Sequence, residues 1–282
     1  VVGRGGTFAL RVVYDLMKKG LITFSSPPVL TAGMSVVGKR EGEGPLGGYF
    51  DLICHDEKFG EKTFEKGEAN MFSIAVSGAL SKAGLQPEDV DVLIAGDLLN
   101  QLVSSSYVAR DLPMSYLGVY SACSTMTESL IVGGTLISSG YADRTACATG
   151  SHFATAERQY RYPLEYGCQR PPYSQWTVTA AGCSILAKKG NGPSITHAAI
   201  GHVVDMGVSD LNNMGAGMAP AAADTMCAVF EGLGVDERDF DLILTGDLGR
   251  VGSEILRDLM RERNVELGSK YSDCGEMIFY DD

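Results

Sequence analysis

A cysteine in a strand-to-helix junction is the first residue with the means to do chemistry. Cys123 lies in Tyr120-Ser-Ala-Cys-Ser-Thr-Met-Thr-Glu-Ser, where a short apolar run gives way to a weakly polar stretch reaching Gly140. Thr125 and Glu128 have the spacing of a capping box, which predicts a long helix starting just after the cysteine. A thiol there feels the positive end of the helix macrodipole, which favours its thiolate, and the backbone N–H groups can hold an anion. The pattern serves a nucleophile, an anion cradle or a buried structural cysteine. A nucleophile needs a general base and oxyanion donors. The four histidines are His55, His152, His197 and His202. His152 follows a predicted strand at 146–150 and is the candidate for the same rim, although a surface loop position fits it equally.

Two aspartates form the second set of candidates, through an internal repeat. Residues 83–98, AGLQPEDVDVLIAGDL, align without a gap on residues 233–248, LGVDERDFDLILTGDL, at an offset of 150. Gly84/Gly234, Asp89/Asp239, Asp91/Asp241, Gly96/Gly246, Asp97/Asp247 and Leu98/Leu248 are identical. Duplication predicts two similar α/β halves. Because ligands of parallel sheets bind at the carboxyl ends of strands, Asp97 and Asp247 are expected either at a shared site or as turn-stabilising residues. The stretch from Thr155 to Gly167, with Arg158, Arg161 and three tyrosines, offers planar cations and stacking rings to a planar anion, or serves as a surface loop.

The elements that position these residues alternate between strand and helix, as in a mostly parallel sheet. A strand is expected after Pro28, a helix from Glu68 to Gly84, and strands at 91–97, 114–120, 146–150 and 176–187. The second half predicts a strand at 194–208, a close-packed loop at 214–224, a helix at 221–233, a strand at 241–245, a helix at 253–263 and a strand at 276–280. The expected division is an N-terminal extension at 1–24, read as an amphipathic helix, a first half at 25–192 carrying Cys123, and a second half at 193–282. The second half lacks counterparts of the Cys123 helix and the two strands after it, so it is expected to be incomplete, with the C-terminal part missing.

Composition narrows the classes. The 282 residues carry a net charge of −12, and 45% are hydrophobic. The acidic balance opposes unaided binding to nucleic acid or anionic headgroups. Seven scattered cysteines without a C-x-x-C pair exclude a zinc ribbon and point to reduced thiols in an intracellular protein. No apolar run is long enough for a membrane span, and no phosphate-loop motif supports nucleotide hydrolysis.

The run from Cys123 to His152, followed by 176–187, resembles the active-site half of thiolases and ketoacyl synthases. That resemblance implies duplicated βαβαβαββ halves, layered α/β/α/β/α, with Cys123 at the nucleophile position. The turn that supplies a histidine in the condensing enzymes reads Thr245-Gly-Asp-Leu-Gly here. More specifically, GPLGGYFD (44–51), AGDLLNQ (95–101), ACSTMTESL (122–130), SHFATAERQYRYPLEYG (151–167), MAPAAADT (218–225) and DCGEMIFY (273–280) are similar to the stage V sporulation protein AD family. Membership implies a non-catalytic protein that binds dipicolinic acid, pyridine-2,6-dicarboxylate, and assists its uptake into the developing spore. It also implies a peripheral location at the forespore or spore inner membrane, membrane-embedded sporulation partners and no cofactor, with calcium entering only as part of the ligand. The pocket would comprise Cys123, His152, Asp97, Asn100, Arg158 and Asp247. A homodimer formed by sheet extension is the expected assembly. The alternative is an acyl-transferring condensing enzyme that uses Cys123.

Overall fold

The computed structural model describes residues 20–160, 171 and 173–280. Most of the helix expected at 1–24 lies outside them, and its end is a strand. In chain order the elements are β1 (Leu21–Thr23), β2 (Val29–Val37), α1 (Lys39–Gly42), β3 (Leu52–Ile53), α2 (Phe64–Ala83), β4 (Val92–Asp97), α3 (Val103–Arg110), β5 (Ser115–Gly118), α4 (Thr125–Ser138), β6 (Arg144–Ser151), α5 (Phe153–Tyr160) and β7 (Ala180–Ala187). They continue with β8 (His197–Ala199), α6 (Met214–Leu233), β9 (Ile243–Thr245), α7 (Gly249–Glu262), β10 (Tyr271–Asp273) and α8 (Cys274–Met277). The described residues fall into two compact units, 24–196 with 277–280, and 20–23 with 197–276. The chain ends are thus assigned differently from the contiguous 25–192 and 193–282 division.

The first unit is built on a six-stranded sheet in the order β3-β2-β7-β6-β4-β5. β6, β4 and β5 run parallel, and β7 is antiparallel to both β2 and β6. The sequence VLIAGD of β4 is apolar almost throughout because both faces of the sheet are covered. Leu93 and Ala95 meet Met71, Phe72, Ala75 and Val76 of α2. On the opposite face Gly133 of α4 brings its backbone so near that a Cβ there would stand 2.8 Å from Cys147 Sγ and 3.3 Å from Ile94 Cδ1. Apart from the short α1 and β3 and the helix α5, the unit runs β2, α2, β4, α3, β5, α4, β6 and β7, the βαβαβαββ order expected of a thiolase-like half.

The repeat survives in three dimensions as local structure. α2 and α6 each span 20 residues at the 150-residue offset, and each ends on a left-handed glycine, Gly84 at φ 68° and Gly234 at φ 69°. Each is followed by a 3₁₀ turn, Pro87–Asp89 and Glu237–Asp239. Asp89 and Asp239 accept the backbone N–H groups of Gln86 and Asp236 at 2.8 and 2.9 Å. The identical pairs Gly84/Gly234 and Asp89/Asp239 are therefore a helix cap and a turn, roles that these residue types fill well.

Three expectations for the second unit change. The segment read as a loop at 214–224 is the first half of α6, even though Pro220 lies within it. Its small residues allow a close crossing with α7, where a Cβ on Gly252 would stand 2.8 Å from the Gly215 Cα, and Asn213 caps it by accepting the Ala216 N–H. Tertiary contact outweighs helix propensity there. The strand expected at 194–208 is confined to β8, which pairs antiparallel with β1. No strand forms at 276–280: the last strand is β10 at 271–273, after which the chain turns into α8, with the Asp273 carboxylate accepting the Gly275 N–H at 2.9 Å. β10 lies parallel to β9, as β5 lies parallel to β4.

Candidate functional site

The carboxyl ends of β4, β5 and β6 each lead into one candidate. β4 ends at Asp97, whose side chain is 1% exposed. Its carboxylate accepts Leu99 N–H at 2.9 Å and both the N–H and the hydroxyl of Ser105 at 2.7 Å. Burial pushes the Asp97 carboxyl above its ordinary range, opposed by these hydrogen bonds. Asp97 thus holds the junction between β4 and α3. Gln101 and Leu102 beside it adopt left-handed backbone, φ 65° and 55°.

β5 leads to Cys123, which is exposed. Ala122 before it sits at φ 43°, a left-handed conformation that costs energy in any residue with a Cβ. This places residues 122–124 in a 3₁₀ turn and starts α4 at Thr125. The expected capping box does not form. Ser124 is the N-cap without a side-chain capping bond, and the Thr125 hydroxyl instead donates to the Ala122 carbonyl at 2.8 Å and accepts Ser121 N–H at 3.2 Å. Ser121 and Ser124 pair their hydroxyls at 2.7 Å. Cys123 therefore rides on a hydroxyl-rich turn at the positive end of a 14-residue helix. Cys147 and Cys183 are buried, and burial pushes the Cys147 thiol up to about 12.

β6 leads to His152, 3% exposed. Nδ1 accepts the Ala154 N–H at 3.1 Å, which leaves the proton on Nε2, and that group donates to the Glu57 carbonyl at 2.7 Å. Both ring nitrogens are engaged in anchoring the start of α5. Burial lowers the His152 pKa. Because the folded value lies below the ordinary one near 6.5, the stabilisation is full above that value and is lost as pH falls through the folded value. Wild-type protein is expected to lose thermal stability from about pH 6.5 downward, and His152→Gln should flatten that part of the profile. An unchanged slope in the variant would assign it to other groups.

Tyr160, at the end of α5, joins the three strand ends. Its hydroxyl donates to the Leu98 carbonyl after β4 and meets the Tyr120 hydroxyl after β5. Burial, with Tyr120 close by, holds the Tyr160 phenol above its ordinary value. Gln159 accepts the Asn100 N–H at 3.0 Å. Asp97, Asn100, Cys123 and His152 thus all lie at or just beyond the carboxyl ends of three neighbouring parallel strands, with the side chains of Asp97 and His152 buried and engaged beneath that edge. Arg158 is ion-paired with Glu65 of α2. Asp247 belongs to the other unit, beside the turn at Gly275. Arg161 and the rest of the tyrosine-rich stretch lie outside the described residues. The sequence stretch marked Tyr160 only as one of several tyrosines, and Tyr120 only as a neighbour of Cys123.

Sheet order, helix succession and a cysteine turn at the head of α4 define a thiolase-like fold. Solved structures agree: 3-oxoacyl-[acyl-carrier-protein] synthase III of Aquifex aeolicus VF5 is similar with a TM-score of 0.57 at 15% identity, covering 90% of this chain and 86% of that one. The corresponding enzyme of Xanthomonas oryzae pv. oryzae gives 0.59 at 14% identity over the same shares, and OleA of Xanthomonas campestris 0.55 at 13%, over 91% and 85%. At these identities the likeness is one of fold. Residues 18–282 match the stage V sporulation protein AD family, and stage V sporulation protein AD of Bacillus subtilis (strain 168) is 42% identical over 259 residues, 92% of this chain and 77% of the relative. The chain belongs to the stage V sporulation protein AD family.

Proposed function

We propose that the protein binds dipicolinic acid, alone or as its calcium chelate, at the rim formed by the ends of β4, β5 and β6, and does so without catalysis. The ligand follows from the family resemblance. The observation that supports a binding role over a catalytic one is His152, whose two ring nitrogens are both committed to backbone groups. With Nδ1 occupied by the Ala154 N–H and Nε2 donating to a carbonyl, this imidazole has no free lone pair to act as a base for the Cys123 turn. The rim suits a small aromatic dicarboxylate. The 121–124 turn contributes hydroxyls and the positive end of α4, and the partly exposed rings of Tyr120 and Tyr160 offer stacking surfaces. Arg158 would have to leave Glu65 to reach a carboxylate. The same reading places the protein at the spore inner membrane beside membrane-embedded sporulation proteins. No helix among the described residues is long and apolar enough to cross a membrane, so attachment would be peripheral.

Calorimetric titration with dipicolinate, with and without calcium, is expected to give saturable binding that Tyr160→Ala weakens about tenfold, in line with loss of one stacking ring and its hydrogen bond. Cys123→Ser should bind as wild type does. No heat in either condition would remove the ligand. The second reading, a condensing enzyme, is favoured by the exposed Cys123 following the left-handed Ala122. Mass spectrometry after incubation with acyl-coenzyme A decides it, since a covalent adduct on Cys123 would establish acyl transfer.

A further inference from the structure

The proposed ligand carries two carboxylates, and the cations of the first unit differ in how far they are already committed. Arg158 is ion-paired with Glu65. Lys39 faces Glu43 at 3.9 Å. Lys58 lies over the Phe64 ring, 5.1 Å from its centroid, and its charge acts on Asp56. Arg40 differs. Its guanidinium carbon stands 3.8 Å from the centroid of the Trp176 ring and 5.1 Å from that of Phe279. The guanidinium makes neither an ion pair nor a hydrogen bond among the described residues. Glu41, next in sequence, feels the Arg40 charge, but its side chain is buried and one of its oxygens accepts the Thr179 N–H at 2.9 Å.

Sheet register puts Arg40 at the same edge as the rim. β2 and β6 both run antiparallel to β7, hence parallel to one another. Val37 at the end of β2 and Ser151 at the end of β6 both pair with Ala180, so the two strands end level. Arg40 follows the first end and Phe153 the second. The gap between them, two strand spacings or about 10 Å, is bridged by Trp176, which stacks on Phe153 with ring centroids 4.3 Å apart and planes at 10°. Phe153, Trp176 and Arg40 therefore form one stack that begins at the residue after His152. Stacking holds a guanidinium by its faces and leaves its N–H donors pointing outward in the plane. Arg40 is exposed, so that edge is open to solvent. A carboxylate is the group such an edge fits, through two parallel hydrogen bonds, and a side chain already held in place has less freedom to lose.

We infer that Arg40, held against Trp176, is the cation that receives one carboxylate of the ligand on the β6 side of the rim, an assignment that rests on the dipicolinate reading above. Arg158 then keeps its pair with Glu65 and need not move.

The test pairs a change in the protein with a change in the ligand. The full chain, as wild type, Arg40→Gln and Arg40→Lys, is titrated calorimetrically with pyridine-2,6-dicarboxylate and with pyridine-2-carboxylate, both without calcium. Wild type is expected to bind the dicarboxylate about 10–100-fold more tightly than the monocarboxylate, the worth of one charge-assisted pair. Arg40→Gln should weaken dicarboxylate binding by about that factor and abolish the preference, which a merely structural role for Arg40 would leave in place. Arg40→Lys, with the charge but without the planar fork, should fall between. Trp176 is the sole tryptophan, so its fluorescence reports on the stack. The dicarboxylate should change it in wild type and not in Arg40→Gln. A dicarboxylate preference that survives in Arg40→Gln, or binding that leaves the wild-type fluorescence unchanged, would overturn the inference and leave dipicolinate binding standing. No heat with wild type would remove the ligand and the inference together.

Discussion

Asp273→Ala is expected to lower the thermal midpoint of the protein by about 10 °C. The Asp273 side chain is fully buried. Its two oxygens accept the Leu248 N–H at 3.0 Å, the Gly249 N–H at 2.9 Å, the Thr245 hydroxyl at 2.5 Å and the Gly275 N–H at 2.9 Å. These bonds tie the end of β9, the first residues of α7 and the turn into α8 to one carboxylate. Alanine would leave four donors unmet, at about 1–3 kcal/mol each before relaxation, or roughly 4 kcal/mol once water reaches some of them. Asp273→Asn, which keeps one acceptor oxygen but turns an NH₂ toward a donor, should lie between. Thermal unfolding followed by circular dichroism measures the difference. A shift below about 2 °C for the alanine variant would mean that solvent replaces the carboxylate at little cost.

Gly96→Ala should be nearly as damaging, for a steric reason. A Cβ at this position would lie 2.0 Å from the Val119 carbonyl oxygen and 2.8 Å from Thr125 Cγ2. The first contact is with backbone, which cannot swing aside as a side-chain end can. Val119 is held in place by its own N–H bond to the Ala95 carbonyl at 3.0 Å. Accommodation means parting β4 from β5 or shifting the turn that carries Cys123. The expected cost is about 3 kcal/mol or more, at the upper end of overpacking effects. The displaced turn should also change the rate at which Cys123 reacts with a disulfide reagent. Unchanged stability together with an unchanged thiol rate would show that the 95–119 approach is looser than the geometry indicates.

These two substitutions separate what the repeat reveals from what it hides. Gly96/Gly246 and Asp97/Asp247 are identical pairs, and sequence symmetry suggests that the aspartates share one task. In the first unit Asp97 does bind the strand-to-helix junction. In the second unit the comparable task falls to Asp273 at the end of β10, a residue outside the repeated segment. The histidine expected at the rim is there, but it serves as a helix anchor. The capping box at Thr125 and Glu128 is absent because α4 already begins at Thr125, whose hydroxyl is turned back to Ala122 and Ser121 of the preceding 3₁₀ turn.

The sequence by itself determined features made by residues a few positions apart: the helix ends at Gly84 and Gly234, the turns that follow them, and the strand-to-helix setting of Cys123, whereas the first half of α6 reads as a loop and is helical only in its packing against α7. Such features depend on local dihedral preference and short-range hydrogen bonds, which residue type and spacing specify. Only the tertiary structure decided the neutral, doubly engaged state of His152, the joining of three strand ends by Tyr160, the burial of Glu68 beside Thr155 and Ser104, and the role of Asp273. Those depend on partners 95, 62 and 25 positions away for His152, Tyr160 and Asp273, and on a desolvation that exists only once the helices close over the sheet.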